Sequence, residues 1–159
     1  MQITLNEVEP EISRTIRVAS SIRLSELHDI IQTAMGWQSL HRYEFEDGIP
    51  PDLPMNTVFH PGQAFEYIYD FGDYWIHTVR IAPTPRRAGT VYPICIEGRR
   101  ACPPEDCGGP LGYAELLRAL RCQNGRARLT LLDARDDDFD PEAFDRDAVN
   151  AELRRLFAT

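Results

Sequence analysis

The chain has 159 residues, of which 43% are apolar and 26% are charged, and its net charge is −8. These proportions are typical of a soluble globular protein, and a chain of this length can bury one hydrophobic core without disulfides, so we expect a single domain over residues 1–159. No apolar run approaches the roughly 18 residues of a membrane helix. The N-terminal stretch MQITLNEVEP has no basic segment followed by an apolar one, which predicts a cytoplasmic protein without a membrane partner.

The negative charge also bears on nucleic acid as a partner. Affinity for DNA or RNA depends on neutralising phosphates, so a diffusely acidic surface disfavours such binding. A local basic patch remains the exception to test, and its candidates are Arg86, Arg87, Arg99 and Arg100.

The first third of the chain predicts a strand, a strand, a helix and a strand, at residues 3–5, 15–18, 24–35 and 41–46. Apolar side chains recur at helical spacing in the helix, with Ser25 as its N-cap and Gly36 as its stop. In the fourth element His41, Tyr43 and Phe45 alternate with charged residues, as in a half-buried strand. This order resembles the start of a β-grasp.

The remainder predicts a loop, an antiparallel hairpin, a further strand and C-terminal helices. The loop covers residues 47–61, the hairpin 65–69 and 74–81, the strand 91–96, and a helix 113–120, with 129–132 ambiguous. Asp140 before Pro141 has the pattern of a helix start, and Asp145 can cap the last helix. The fold class is therefore α+β, with the hairpin central in a mixed sheet and the C-terminal helices packed on it.

The hairpin turn carries the segment DFGD. If Phe71 and Gly72 form a two-residue loop, Asp70 and Asp73 face each other, and like charges at opposed positions destabilise a strand pair. A cation, an arginine or backbone N–H groups can offset that repulsion. Capping of backbone N–H groups is the commonest use of aspartate at turns, and it is the simplest interpretation.

In that register His77 shares a strand face with Trp75 and Glu66. A histidine on an apolar face is usually a neutral, hydrogen-bonded core residue, and Glu66 is a candidate partner. The alternative is a mixed metal site that joins His77 to carboxylates of both turns and to Cys102. His28 and His41 are further candidates, although single histidines beside an apolar stripe are usually structural.

A second turn contains CPPEDCGG, in which the prolines stiffen the chain and the glycines permit a positive φ or a close approach. Its carboxylates, Glu105 and Asp106, can hold a ligand or favour the N-terminus of the following helix. The spacing of Cys95, Cys102 and Cys107 is not that of a zinc knuckle. The glycines lack the Lys-Ser/Thr end of a phosphate loop, and the acidic run at Asp136–138 and Asp140 lacks the EF-hand pattern.

Four segments, GWQSLHRYEF, YDFGDYWIH, ACPPEDCGGPLGY and FDPEAFDRDAVN, together resemble the plasmid ORF-three-like family first named from a root-inducing (Ri) plasmid. The resemblance spans nearly the whole chain and implies a compact α+β domain of a largely uncharacterised family. Some members carry a transposon-passenger or TnpR-type resolvase label. A serine resolvase needs an activated serine amid arginines and a basic DNA-reading helix pair, and the acidic C-terminal third offers no such helix.

The leading hypothesis is a non-enzymatic binding module for a protein or small ligand, because no nucleophile–base pair stands at a recognisable spacing. Its acidic, aromatic-edged surface consists of Asp70, Asp73, Trp75, Glu105 and Asp106. The alternative is a metal-dependent hydrolase that also uses these carboxylates. Its zinc or manganese would be held by His77, Asp73, Cys102 and Glu105. A DNA transaction is a third hypothesis, and the first two both require the two turns to meet.

Overall fold

The computed structural model describes residues 1–121 and 139–157, which form helices around a six-stranded sheet. The strands are β1 (Gln2–Leu5), β2 (Ser13–Arg17), β3 (Tyr43–Phe45), β4 (Ala64–Tyr69), β5 (Trp75–Arg80) and β6 (Ile94–Arg99). Their spatial order is β3-β4-β5-β1-β2-β6. All of these neighbours pair antiparallel, so the α+β fold is confirmed but the sheet is antiparallel and not mixed.

The helices follow the predicted chain order, with two short additions. They are α1 (Leu24–Met35), a 3-10 helix (Glu46–Gly48), α2 (Met55–Val58), α3 (Gly109–Arg121) and α4 (Arg146–Phe157). The predicted loop at residues 47–61 therefore contains helical turns, and α3 begins four residues earlier than predicted. None of the described helices has the length and apolarity needed to cross a membrane. The ambiguous segment 129–132 and the acidic residues 136–138 lie outside the described residues.

Helix α1 covers one face of the sheet with its apolar stripe. The buried members of that stripe are Leu24, Leu27, Ile30, Ile31, Ala34 and Met35. The helix ends as predicted at Gly36, which has a φ of 95° and donates its N–H to the Gln32 carbonyl at 2.8 Å. It does not begin as predicted. Arg23 occupies the N-cap position, Glu26 accepts the Arg23 N–H at 2.8 Å, and Ser25 lies inside the first turn.

The central hairpin has a different register from the predicted one. Tyr69 pairs with Trp75, so the turn comprises the five residues 70–74 and not two, and its aspartates are not opposed. Asp70 and Tyr74 adopt left-handed φ angles of 57° and 60°, and the Tyr74 N–H closes the turn on the Asp70 carbonyl at 2.6 Å. Because the turn is longer, Glu66 lies opposite Thr78 on the outer face and does not pair with His77.

The inner face of the hairpin is a buried aromatic layer. Its members are Phe65, Tyr67, Tyr69, Trp75, His77 and Val79. Helix α1 is tied to this layer, since the Tyr67 hydroxyl lies 2.7 Å from His28 Nδ1 and accepts from Gln32 Nε2 at 3.1 Å. The layer is therefore both packed and hydrogen-bonded, which fixes where the hairpin turn emerges.

The C-terminal helix packs against β6 and α1, and its Leu153 is fully buried. Asp145 caps it as predicted, because its Oδ1 accepts the N–H groups of Asp147 and Ala148 at 2.9 Å each. Asp140 accepts the Glu142 N–H at 2.9 Å within a turn, so the predicted helix start at Asp140 is wrong.

Candidate functional site at the turn junction

The hairpin turn and the proline-rich loop meet at one end of the sheet, as predicted. We call this place the turn junction, and it is formed by residues 36–42, 70–74 and 102–109. Asp73 Oδ2 accepts the Gly108 N–H at 3.0 Å, which joins the two turns directly. The segment after α1 is joined to the same loop, because Trp37 Nε1 donates to the Pro103 carbonyl at 2.9 Å.

Glycine allows the two turns to approach this closely. Gly109 has a φ of 68°, and a Cβ atom added there would lie 2.5 Å from the Asp73 carbonyl oxygen. Neither that conformation nor that contact suits a residue with a side chain. The predicted role of the glycine pair in close approach is confirmed at Gly109.

His41 lies at the centre of the turn junction, with its Nε2 atom surrounded by carboxylates from both turns. The distances from Nε2 are 3.1 Å to Asp106 Oδ1, 3.7 Å to Asp70 Oδ2 and 3.9 Å to Glu105 Oε2. The Nε2 atom is shielded from solvent and none of these contacts has hydrogen-bond geometry. Three possible ligand atoms lie within 4.8 Å of one another, one each from His41, Asp70 and Asp106. Such an arrangement can hold a metal ion.

The inner carboxylates of this cluster are held in place by the protein. The Asp70 side chain is only 7% exposed, and its Oδ1 accepts the Gly72 N–H at 2.8 Å. With Asp73 on Gly108, this confirms the capping interpretation for both aspartates of the turn. Glu105 accepts the Tyr69 hydroxyl at 3.0 Å, and burial and then this carboxylate raise the pKa of Tyr69.

The outer carboxylate, Asp106, is far more accessible, with 69% of its side chain exposed. It has a left-handed φ of 55°, which aspartate tolerates better than most residues. One side of the cluster is therefore open to an incoming ligand.

Three residues predicted to belong to this site lie in the core instead. His77 is fully buried, its Nδ1 lies 3.1 Å from the Trp75 carbonyl and 3.2 Å from that of Tyr67, and burial lowers its pKa to about 4. This confirms the neutral core interpretation of His77. Trp75 is also fully buried and cannot edge a surface.

Cys102 is the third of these residues. Its Sγ lies 3.1 Å from Met35 Sδ, and burial raises the pKa of the thiol to about 11, so it stays protonated at neutral pH. Among the described residues, the combination of His77, Asp73, Cys102 and Glu105 is not a group whose ligand atoms converge. The histidine of the observed cluster is His41, which the sequence offered as a further candidate while favouring a structural role for it.

Exposed apolar side chains edge the turn junction. Three belong to its segments, namely Leu40, Phe71 and Tyr74, exposed by 58%, 47% and 51%, and Leu111 in the first turn of α3 is exposed by 82%. Phe71 and Tyr74 therefore provide the aromatic edge that the sequence assigned to Trp75.

Comparison with known proteins places the chain in a family. The family described as plasmid pRiA4b ORF-3-like protein matches residues 1–148. The chain belongs to this family. The family resemblance seen in the sequence motifs is thereby confirmed.

Two relatives extend the comparison. The uncharacterized protein y4hQ of Sinorhizobium fredii is 41% identical to this chain, over 76% of this chain and 71% of that protein. The crystal structure of the protein of unknown function MM3350 from Methanosarcina mazei Go1 has a TM-score of 0.80 and 33% identity, and covers 92% of this chain and 93% of that one. Neither name states an activity, so the functional argument rests on the turn junction.

Proposed function

We propose that this protein is a cytoplasmic binding module that recognises a protein segment at the turn junction. The observation that carries the proposal is the convergence of His41 and three carboxylates between two joined turns, edged by exposed apolar side chains.

The chemistry of the surface indicates what it would bind. Phe71 and Tyr74 offer large exposed rings of the type that anchor interfaces, and Asp106 offers an accessible negative charge in the same turn junction. A complementary segment carries an arginine or lysine flanked by apolar side chains. Its basic group would pair with Asp106, and its apolar side chains would be buried against Phe71 and Tyr74.

A random peptide display library selected on the immobilised full chain tests this proposal. We expect enriched peptides to contain a basic residue next to aromatic or aliphatic ones. Fluorescence anisotropy with an enriched peptide should show at least tenfold weaker binding for Phe71→Ser and for Asp106→Asn. Val91→Ser is the matched control, because Val91 is 66% exposed and outside the junction. Enriched peptides whose affinity is unchanged by both junction variants would contradict the proposal.

A metal-dependent hydrolase is the second candidate, and one observation favours it. A histidine nitrogen and carboxylate oxygens from separate segments converge at an open site, which is the ligand set of many hydrolytic metal centres. It would be centred on His41 and not on His77. Chromogenic phosphate and ester substrates assayed with Zn²⁺ or Mn²⁺ test it. Turnover that Asp106→Asn abolishes would support it, and metal binding without turnover would count against it.

Nucleic acid is not part of the proposal. Two of the four arginines considered as a basic patch are paired with carboxylates, Arg99 with Glu11 at 3.7 Å and Arg100 with Glu142. Since paired arginines neutralise few phosphates, we expect no complex with duplex DNA in gel shifts at low salt. A complex with a steep salt dependence would reverse this expectation.

A further inference from the structure

We propose that the turn junction binds one divalent transition-metal ion, Zn²⁺ or Mn²⁺, through His41 Nε2, Asp70 Oδ2 and Asp106 Oδ1. This metal site goes beyond the proposed peptide recognition and does not depend on it. Its ligands differ from those suggested by the sequence, which were His77, Asp73, Cys102 and Glu105. The two sets share no residue, although both take carboxylates from the same two turns.

The distances between the ligand atoms suit one shared ion. Zinc lies about 2.0–2.2 Å from histidine nitrogen and carboxylate oxygen, which places neighbouring ligand atoms about 3.3 Å apart in a tetrahedral site. His41 Nε2 lies 3.1 Å from Asp106 Oδ1 and 3.7 Å from Asp70 Oδ2. Small side-chain rotations, easiest at the exposed Asp106, would complete the coordination.

The state of His41 Nε2, with carboxylates as its neighbours, is a second observation that favours a ligand. This atom is shielded from solvent and makes no hydrogen bond, although polar atoms that lose water normally find a partner. Asp70 is more than nine-tenths buried, and its Oδ2 faces the same space. Several carboxylates close together repel one another, and a cation between Asp70, Asp106 and the imidazole lone pair would offset that repulsion and give Nε2 a partner.

Surrounding hydrogen bonds orient this ligand set, as in established metal sites. Asp70 is held through its other oxygen by the Gly72 N–H at 2.8 Å. Glu105 accepts from the Tyr69 hydroxyl at 3.0 Å and from the Gln38 N–H at 2.9 Å, which holds its Oε2 atom 3.9 Å from His41 Nε2. Glu105 is thus fixed outside the ligand set, where it adds negative charge beside the ion.

The donor types select among metals. One imidazole with carboxylates suits Zn²⁺ or Mn²⁺ better than Ca²⁺ or Mg²⁺, which prefer oxygen ligands alone. Three protein ligands leave positions for water or for a group of the bound partner on the side where Asp106 is exposed.

Equilibrium dialysis against Zn²⁺ tests the proposal. The tag-free full chain is used, and bound zinc is measured by mass spectrometry. Binding of Mn²⁺ is measured in parallel by electron paramagnetic resonance. We expect one ion per chain. His41→Ala and Asp106→Asn should each weaken binding at least tenfold. His60→Ala is the matched control, because His60 is an exposed histidine outside the junction.

The outcomes separate clearly. Failure to bind either metal at millimolar concentration, or binding that His41→Ala and Asp106→Asn leave unchanged, would overturn the proposal and leave His41 as an ion-pair partner of the carboxylates. Because the Asp106 side chain is 69% exposed, its substitution should leave the circular dichroism spectrum intact. Phe71→Ser should retain metal binding while weakening peptide binding, so failure of one proposal is distinguishable from failure of the other.

Discussion

Two histidines of this protein share one unusual property and differ in everything around it. Neither His41 Nε2 nor His77 Nε2 makes a hydrogen bond, and both atoms are shielded from solvent. The His77 ring is enclosed by aromatic side chains, with ring centroids 5.2 Å from Tyr67 and 5.4 Å from Trp37. His41 is enclosed by carboxylates. The two imidazoles therefore differ only in their surroundings. Aromatic neighbours make His77 a core residue, and carboxylate neighbours make His41 a candidate ligand.

The largest effect should come from removing the core histidine. His77→Ala leaves a cavity in the aromatic layer, and we expect it to lower the free energy of unfolding by about 3 kcal/mol. His41→Ala removes a partly exposed ring and should cost less than about 1 kcal/mol. Urea denaturation of both variants measures the contrast. Equal losses would show that the two histidines do not have the distinct roles assigned here.

Acid should destabilise the protein through its core histidines. Burial lowers the pKa of His77 to about 4, whereas the unfolded chain has the ordinary value of 6.5. Between these values the unfolded state binds more protons, so stability is greatest above pH 6.5 and falls as the pH drops toward 4. From pH 7 to pH 5 His77 should account for a loss of about 2 kcal/mol in urea denaturation. His28, with a pKa lowered to about 4 by burial, acts in the same direction.

Imidazole resonances in NMR provide the direct check on this pH dependence. His77 should remain neutral in the folded protein down to pH 5. A His77 resonance that titrates near pH 6.5 without unfolding would contradict its assignment to the core. His60→Ala is the control, because removal of this exposed imidazole should leave the pH dependence of stability unchanged.

A matched pair of glycine substitutions sharpens the contrast between core and junction. Gly109→Ala should lower the free energy of unfolding by about 2–3 kcal/mol, since a left-handed alanine costs about 1–2 kcal/mol and its Cβ would also press on the Asp73 carbonyl. Gly62→Ala has a similar φ of 89° with nothing within 4 Å of the new Cβ. It should cost about 1 kcal/mol. Equal losses would mean that the turns are not in contact.

The hydrogen bond between the turns should contribute a small effect. Asp73→Ala removes the acceptor of the Gly108 N–H and should cost about 1 kcal/mol, because the bond is exposed to solvent. Asp73→Asn keeps an acceptor oxygen and should retain most of the stability. Thermal unfolding of both variants tests this. A loss as large for Asn as for Ala would indicate that charge, and not the hydrogen bond, joins the turns.

Local sequence patterns predicted the parts of the site that local chemistry determines. Two turns are rich in carboxylates, prolines and glycines, which marked them as candidates for a site. The expectation that these turns meet is confirmed by the hydrogen bond from the Gly108 N–H to Asp73. The hairpin register was wrong because it depends on left-handed conformations at Asp70 and Tyr74, which residue type alone does not disclose. That single shift changed the residue opposite His77 from Glu66 to Tyr67, while His77 stays on the apolar face as predicted.

His41 was only a further candidate in the sequence, and its central position among the carboxylates escaped prediction for a different physical reason. It lies in a short connection after α1, and its position is set by contacts such as Trp37 Nε1 with the Pro103 carbonyl, 66 residues away along the chain. Periodicity reports which face of an element is apolar, but it carries no information on long-range contacts between loops. The histidine in GWQSLH was visible in the sequence, but its carboxylate neighbours were not.

The central claim is that two turns distant in sequence act as one site around His41. A Zn²⁺ titration of the ¹⁵N-labelled full chain, followed by the amide resonances of Gly72 and Gly108, tests it most directly. The account predicts that both resonances shift with one common midpoint at one ion per chain, while the Gly62 amide does not move. Shifts confined to one turn, different midpoints for the two turns, or no shift in either would contradict it.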